Sequence, residues 1–333
     1  MAEKSVYGGQ AVMEGVMMRG RDSMAIAVRA PDQSIVVYHE SLAASPWALR
    51  VKNWPLVRGV VMLWDTMVLG TRALVFSTNI GLTEEAEEEQ EPAALAGPAL
   101  WGMVAISILF SIGLFFLLPL LAVHVVDRYI DSSIVSNLVE GLIRLGLLLG
   151  YLGLIGNLSD IRRVFSYHGA EHKTINALEA GDPLDVAHVR RHTLLHPRCG
   201  TGFLLVVAVI SVIVFAFLGR PEFVLRVASR ILLVPVIAAI AYEFLKFTAR
   251  HDRNPLVRAV IAPSLAMQHL TTREPDDEML EVAIVSLQRV LVAEGAIPAA
   301  TLARRGIHEV DIDGRAAGQP GLAADPTPAL GID

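Results

Sequence analysis

Cysteine is nearly absent. Cys199 is the single one among 333 residues, which excludes an intrachain disulfide and leaves a thiol that a reducing compartment would keep available as a metal ligand or nucleophile. Charge is scarce too: 19% of residues are charged against 53% hydrophobic, a balance that argues against two ordinary soluble domains and for membrane insertion. No basic, aromatic-interleaved patch suggests nucleic acid as a partner. Residues 1–10 are polar and glycine-bearing, unlike the apolar core of a cleaved signal peptide, so the amino terminus is expected to stay where it is made. The net charge of −6 comes largely from the acidic run at residues 84–91, which reads as a solvated linker.

What the chain does have is clustered apolar sequence. Residues 101–126 carry no formal charge, and at about 1.5 Å of rise per residue they are long enough to span a bilayer with tilt. Residues 138–158, which tolerate Glu140 and Arg144 near their start, 203–218 and 231–247 are read as three further spans. Residues 54–82 are also mostly apolar, but Arg58, Asp65 and Arg72 recur every seven positions on one helical face, so an amphipathic or interfacial helix is expected there. Eight Lys and Arg precede the first span, one lies in 127–137, six in 159–201, three in 219–230 and eight after Phe247. This alternation places both termini and segment 159–201 in the cytoplasm.

The expected fold is therefore a mainly α integral membrane protein of about four transmembrane helices, in contact with the lipid bilayer, with a small N-terminal β-containing cytoplasmic unit and a cytoplasmic helical hairpin. Within residues 1–53, Met24–Arg29 and Ser34–His39 are short β-favouring runs around a Pro31-Asp32 turn and read as a hairpin. Ahead of them, the glycines of 8–20 suggest tight turns or close backbone approach around Glu14. Residues 83–99 are the linker and 248–294 cytoplasmic helices. The Ala-, Gly- and Pro-rich stretch 295–333 is expected to be disordered.

The chemistry concentrates in 159–201. His168 and His172, at i and i+4, can aim imidazole nitrogens at one metal, and Glu171 lies beside them to polarise a water. The order His-x-x-Glu-His also occurs in inverted zincin metalloproteases, over five residues and with no further visible likeness. His188, His192 and His196 repeat the spacing of four until Pro197, just before Cys199. A helical hairpin turning at Gly181-Asp182-Pro183 could bring His168, His172, His192, His196 and Cys199 together around a divalent metal, with zinc favoured by the Cys/His mix. Glu243, an acid in the fourth span, is a further candidate ligand, with an i,i+3 pair to Lys246 as the plainer alternative. Glu14 is a candidate base beside Glu171, or a solvent-exposed loop acid.

Four segments, residues 8–20, 167–173 (YHGAEHK), 196–201 (HPRCGT) and 270–275 (LTTREP), closely resemble the bacterial YqhQ family across about residues 5–294. The resemblance implies a multispanning membrane protein with a domain of unknown function, described only as a predicted metal-dependent enzyme. It implies no substrate. Together these readings favour a metal-dependent hydrolase acting on a membrane-proximal substrate, against a membrane scaffold in which the metal only ties the hairpin together.

Overall fold

The computed structural model describes residues 7–42, 54–88, 98–251, 254–302, 306–312 and 314–315. Strands β1 (Gly8–Val12), β2 (Gly15–Arg19), β3 (Ser23–Arg29) and β4 (Ile35–Ser41) form an antiparallel meander, and β5 (Ile307–Val310) pairs parallel with β4. The helices are α1 (Val57–Glu88), α2 (Pro98–Ile112), α3 (Leu118–Val126), α4 (Ser133–Ile155), α5 (Ser159–Ala180), α6 (Val186–Val189), α7 (Gly200–Phe217), α8 (Phe223–Leu232), α9 (Val234–Arg250), α10 (Pro255–Thr271) and α11 (Asp277–Ala293).

Side chains alternate between the faces of the sheet, and both faces are buried. Val16, Met18, Ala25 and Ala27 meet α5 and α11, whereas Met17, Met24, Ile26 and Val28 meet Leu69, Ala73, Phe76 and Ile80 of α1. Helix α11 is capped by Asp276, whose side chain accepts the Met279 N–H at 2.9 Å, and it carries Asp277 and Glu278 at its positive end. It is buried on nearly every face, as befits the central helix of this layer. The hairpin read from the sequence is β3–β4. The glycine-bearing stretch ahead of it is not turns alone but a second strand pair, with Glu14 at φ +49° in its turn.

Two expectations need correction. The tail is ordered at a 3₁₀ turn over Ala299–Leu302 and at β5. There the open edge of β4 supplies the backbone hydrogen bonds that a four-residue strand cannot provide for itself; residues 316–333 lie outside the described residues. The acidic linker starts later than expected, because α1 continues to Glu88; residues 89–97 also lie outside the described residues, as do 1–6 and 43–53.

Among the described residues, four helical segments are long and apolar enough to cross a membrane: Val57–Leu82, Trp101–Tyr129, Ser133–Ile155 and Gly200–Phe217. Helices α8 and α9, bent by 42° at Leu233, qualify as a fifth if taken together. Pro235 cannot donate to the Ile231 carbonyl, which accounts for the break. Exposed side chains such as Trp101, Ile106, Leu109 and Phe110 give these helices faces compatible with lipid contact. Helix α1, placed outside the spans by its charge spacing, differs along its length. Its first half exposes Val60, Trp64 and Met67 and packs Gly59 on Tyr242 of α9, whereas its second half is the floor of the sheet.

Inside the bundle lies a buried ionic network. Glu140 is 1% exposed and accepts from Arg144 Nη2 (2.8 Å), Arg230 Nε (3.0 Å), Arg230 Nη2 (2.8 Å) and Arg226 Nη2 (3.1 Å). Asp127 takes the other side of Arg226 at 2.7 Å. Between α2 and α3 the chain forms a π-helical turn over Gly113–Leu117. Pro119 cannot donate to Phe115 O four residues back, and Arg144 Nε donates to that carbonyl at 2.9 Å.

Candidate metal centre

Helix α5 lies between the sheet and the ends of α7 and α10, and its inner face carries the site. His168 Nδ1 lies 2.8 Å from Thr271 O, and His172 Nδ1 bonds Leu194 O. A carbonyl only accepts, so each Nδ1 carries the proton and each Nε2 presents its lone pair to the interior. This is the orientation that metal-ligating histidines take from their outer hydrogen bonds. The two rings are 4.4 Å apart at their centroids.

Cys199 enters from the start of α7. Its Sγ lies 3.2 Å from His168 Nε2 and 3.1 Å from Thr201 Oγ1, and it accepts the Thr201 N–H at 3.4 Å. Ligand atoms of His168, His172 and Cys199 all lie within 4.8 Å of one another. Ligands of a tetrahedral zinc, at bonds of about 2.0–2.3 Å, stand roughly 3.3–3.8 Å apart, so small side-chain adjustments would close the set. The donor chemistry fits a zinc-type ion, and His172 Nε2 is buried without a hydrogen-bond partner among the described residues.

Glu171 sits between the two histidines, with Oε2 3.8 Å from each Nε2. It is 5% exposed, and burial pushes its carboxyl above the usual range, opposed by His168 and by a hydrogen bond from the Gly9 backbone. Gly9 has no room for a side chain: a Cβ there would stand 2.8 Å from Glu171 Cγ. His196 also belongs to the cluster. Its ring centroid is 5.6 Å from that of His172, its buried Nε2 has no hydrogen-bond partner among the described residues, with Glu179 Oε2 4.0 Å away, and burial pushes its pKa down to about 3, so it is neutral.

The chain returning from α5 is held by α5 itself. After the turn at Gly181 (φ +79°) it is helical only over Val186–Val189, and Lys173 Nζ then takes Arg190 O at 2.8 Å while Asn176 Nδ2 takes Thr193 O at 2.9 Å. The spacing of four among His188, His192 and His196 therefore has no helix to act through. His188 pairs with Asp185 at 2.8 Å and His192 Nε2 with Asp182 at 2.9 Å, both outside the cluster, and His196 alone of the three turns inward. His192 is corrected as a ligand.

Two acids are corrected as well. Glu14 is engaged by Arg163 through two hydrogen bonds, at 2.6 and 2.5 Å, and by Tyr167 Oη at 3.3 Å, so it anchors the β1–β2 turn to α5 and is not a base at the cluster. Glu243 is a bidentate partner of Arg58, at 2.7 Å for the Nε contact, and joins α9 to α1; it is no ligand here, and its ion-pair hydrogen bonds go to Arg58 while Lys246 acts on it only as a nearby charge. Sequence reasoning missed Gln268, which grips His196 by accepting its N–H at 2.9 Å and donating to its carbonyl at 2.8 Å. It also missed Thr271, which contributes a main-chain carbonyl and so leaves no side-chain signal.

The family described as protein of unknown function DUF1385 matches residues 54–293, a span that contains every residue of the cluster. The uncharacterized protein YqhQ of Bacillus subtilis (strain 168) is 35% identical over 295 residues, covering 86% of this chain and 93% of that relative. No solved structure matches the chain. With its matched region running from the first residues before α1 to the end of α11, the chain belongs to the DUF1385 family, to which its likeness to YqhQ also points.

Proposed function

We propose that this protein is a membrane-embedded, metal-dependent hydrolase with a zinc-type site at the cytoplasmic face, acting on a membrane-proximal substrate. The observation that carries this reading is the pair of imidazoles whose lone pairs are fixed inward by main-chain carbonyls, facing a thiol and beside a buried carboxylate. His168, His172 and Cys199 would hold the ion, which when bound supplies Lewis acidity toward water and a substrate oxygen. Glu171 takes a proton from the attacking water at Oε2; its upward-shifted pKa suits a carboxyl that must hold that proton and pass it to the leaving group. Burial of the cluster limits competing solvent. The Lys/Arg-rich segments flanking the spans and the lone thiol support placing this face, and both termini, in the cytoplasm.

One observation favours a second reading. His196, whose buried Nε2 has no hydrogen bond among the described residues, stands beside His172 and would be the fourth protein ligand, and a closed shell of four would make the metal a structural tie. Elemental mass spectrometry of the detergent-purified protein, with X-ray absorption at the metal edge, separates the two. The hydrolase reading expects about one metal per chain with a solvent oxygen in its shell, lost in His168→Ala/His172→Ala. Glu171→Gln is expected to keep the metal and to lose roughly 10²–10⁴-fold in turnover. A shell made only of nitrogen and sulfur would select the scaffold, and a wild type without metal would sink both.

A further inference from the structure

Behind the metal centre, between β1, β2 and α1, lies a cavity of about 460 Å³, within the range of roughly 300–1,000 Å³ typical of ligand pockets. Among the described residues, the charged members of its wall are arginines: Arg19, Arg21 and Arg198. Arg19 is held by Asp65 at 2.6 Å and Arg198 by Glu179, and neither acid lines the cavity. Helix α1 contributes Met62, Thr66 and Leu69. The same half of α1 exposes Trp64 and Met67 on its outer side, so the apolar wall is continuous with a surface of lipid-compatible character.

The cavity and the metal centre share a partition. Gly9 lines the cavity while its backbone bonds Glu171, and Arg198 lines it one residue before Cys199. We propose that this cavity receives the phosphate-bearing headgroup of an anionic membrane lipid, with the acyl part leaving along α1. Guanidinium groups present paired N–H donors to the tetrahedral, multiply accepting oxygens of a phosphate, and their positive charge favours a headgroup of net negative charge over a neutral or zwitterionic one. The assignment of that lipid as substrate rests on the hydrolase reading; the binding itself does not.

The test is calorimetric titration of the full-length, detergent-purified protein with dihexanoyl phosphatidic acid, dihexanoyl phosphatidylcholine and inorganic phosphate, with metal content and melting curve recorded for each variant. The phosphatidic acid should bind more tightly than either other probe. Arg21→Gln should weaken it about tenfold or more, and Arg21→Lys by less, with metal content and melting retained. Arg128→Gln, whose guanidinium stacks on Tyr129 beyond α3, should have no effect. His168→Ala/His172→Ala should lose metal and still bind. Equal binding of the phosphatidylcholine, equal binding of inorganic phosphate, or indifference to Arg21→Gln would each overturn the lipid site. A metal-free wild type that still binds phosphatidic acid would uphold the cavity and remove the hydrolase.

Discussion

Glu140→Ala is expected to lower stability by about 3–5 kcal/mol, read as an earlier midpoint in sodium dodecyl sulfate unfolding from mixed micelles. Glu140 accepts four hydrogen bonds from three arginines in a layer where water cannot replace them. With the carboxylate gone, Arg144 keeps Phe115 O and Ser211, and Arg230 keeps Asn137, but the positive charge of the cluster is no longer offset inside the bundle. The cost comes from breaking the network, since replacing a whole buried ionic group by packed apolar residues is often neutral. Adding Arg230→Ala to Glu140→Ala should therefore cost less than the two single changes summed. If Glu140→Ala unfolds at the wild-type midpoint, the network contributes nothing to stability.

Gly169→Ala should weaken metal binding by roughly 10- to 100-fold without changing any ligand. A Cβ at this position would stand 2.1 Å from Arg273 O and 2.9 Å from Leu194 Cδ2. The backbone oxygen has nowhere to go unless the α10–α11 connection backs away from α5, and Thr271 O, two residues earlier, is what fixes the His168 tautomer. The leucine contact presses on the residue whose carbonyl orients His172. Chelator competition against wild type measures the loss. Gly150→Ala on α4, where a Cβ meets nothing within 4 Å, is the matched control and should leave metal affinity unchanged. Equal affinities in Gly169→Ala and wild type would show that the outer hydrogen bonds do not set the site.

Much of the architecture was legible because it follows from periodicity. The β-favouring runs fall on β3 and β4, the uncharged run falls on α2 and α3, and the i,i+4 pair His168 and His172 does share one face of a helix. The same logic failed at His192, where a spacing of four was read through a helix that ends at Val189. It failed at Glu14 and Glu243 for a different reason. Their arginine partners are 149 and 185 residues away in sequence, and an acid does not announce a distant cation. Glycines at 9 and 169 were read as marks of close approach or not remarked at all. What approaches them, Glu171 and the Arg273 carbonyl, is a property of the packed chain.

The Phe115 carbonyl sets how the helices of the bundle stand against one another. A helix sliding along its axis exchanges leucine neighbours for lipid tails of the same character, so apolar packing alone sets vertical position weakly. Pro119 leaves one backbone oxygen open on its helix, and Arg144 seats on it from α4. A shift of one turn, about 5.4 Å, would strand that oxygen and leave Arg144 with its partner Glu140 but without its acceptor on the neighbouring helix. The proline is thus a register mark: it fixes how far α4 stands along its neighbour, and with it the level at which the α4–α5 junction delivers His168 and His172.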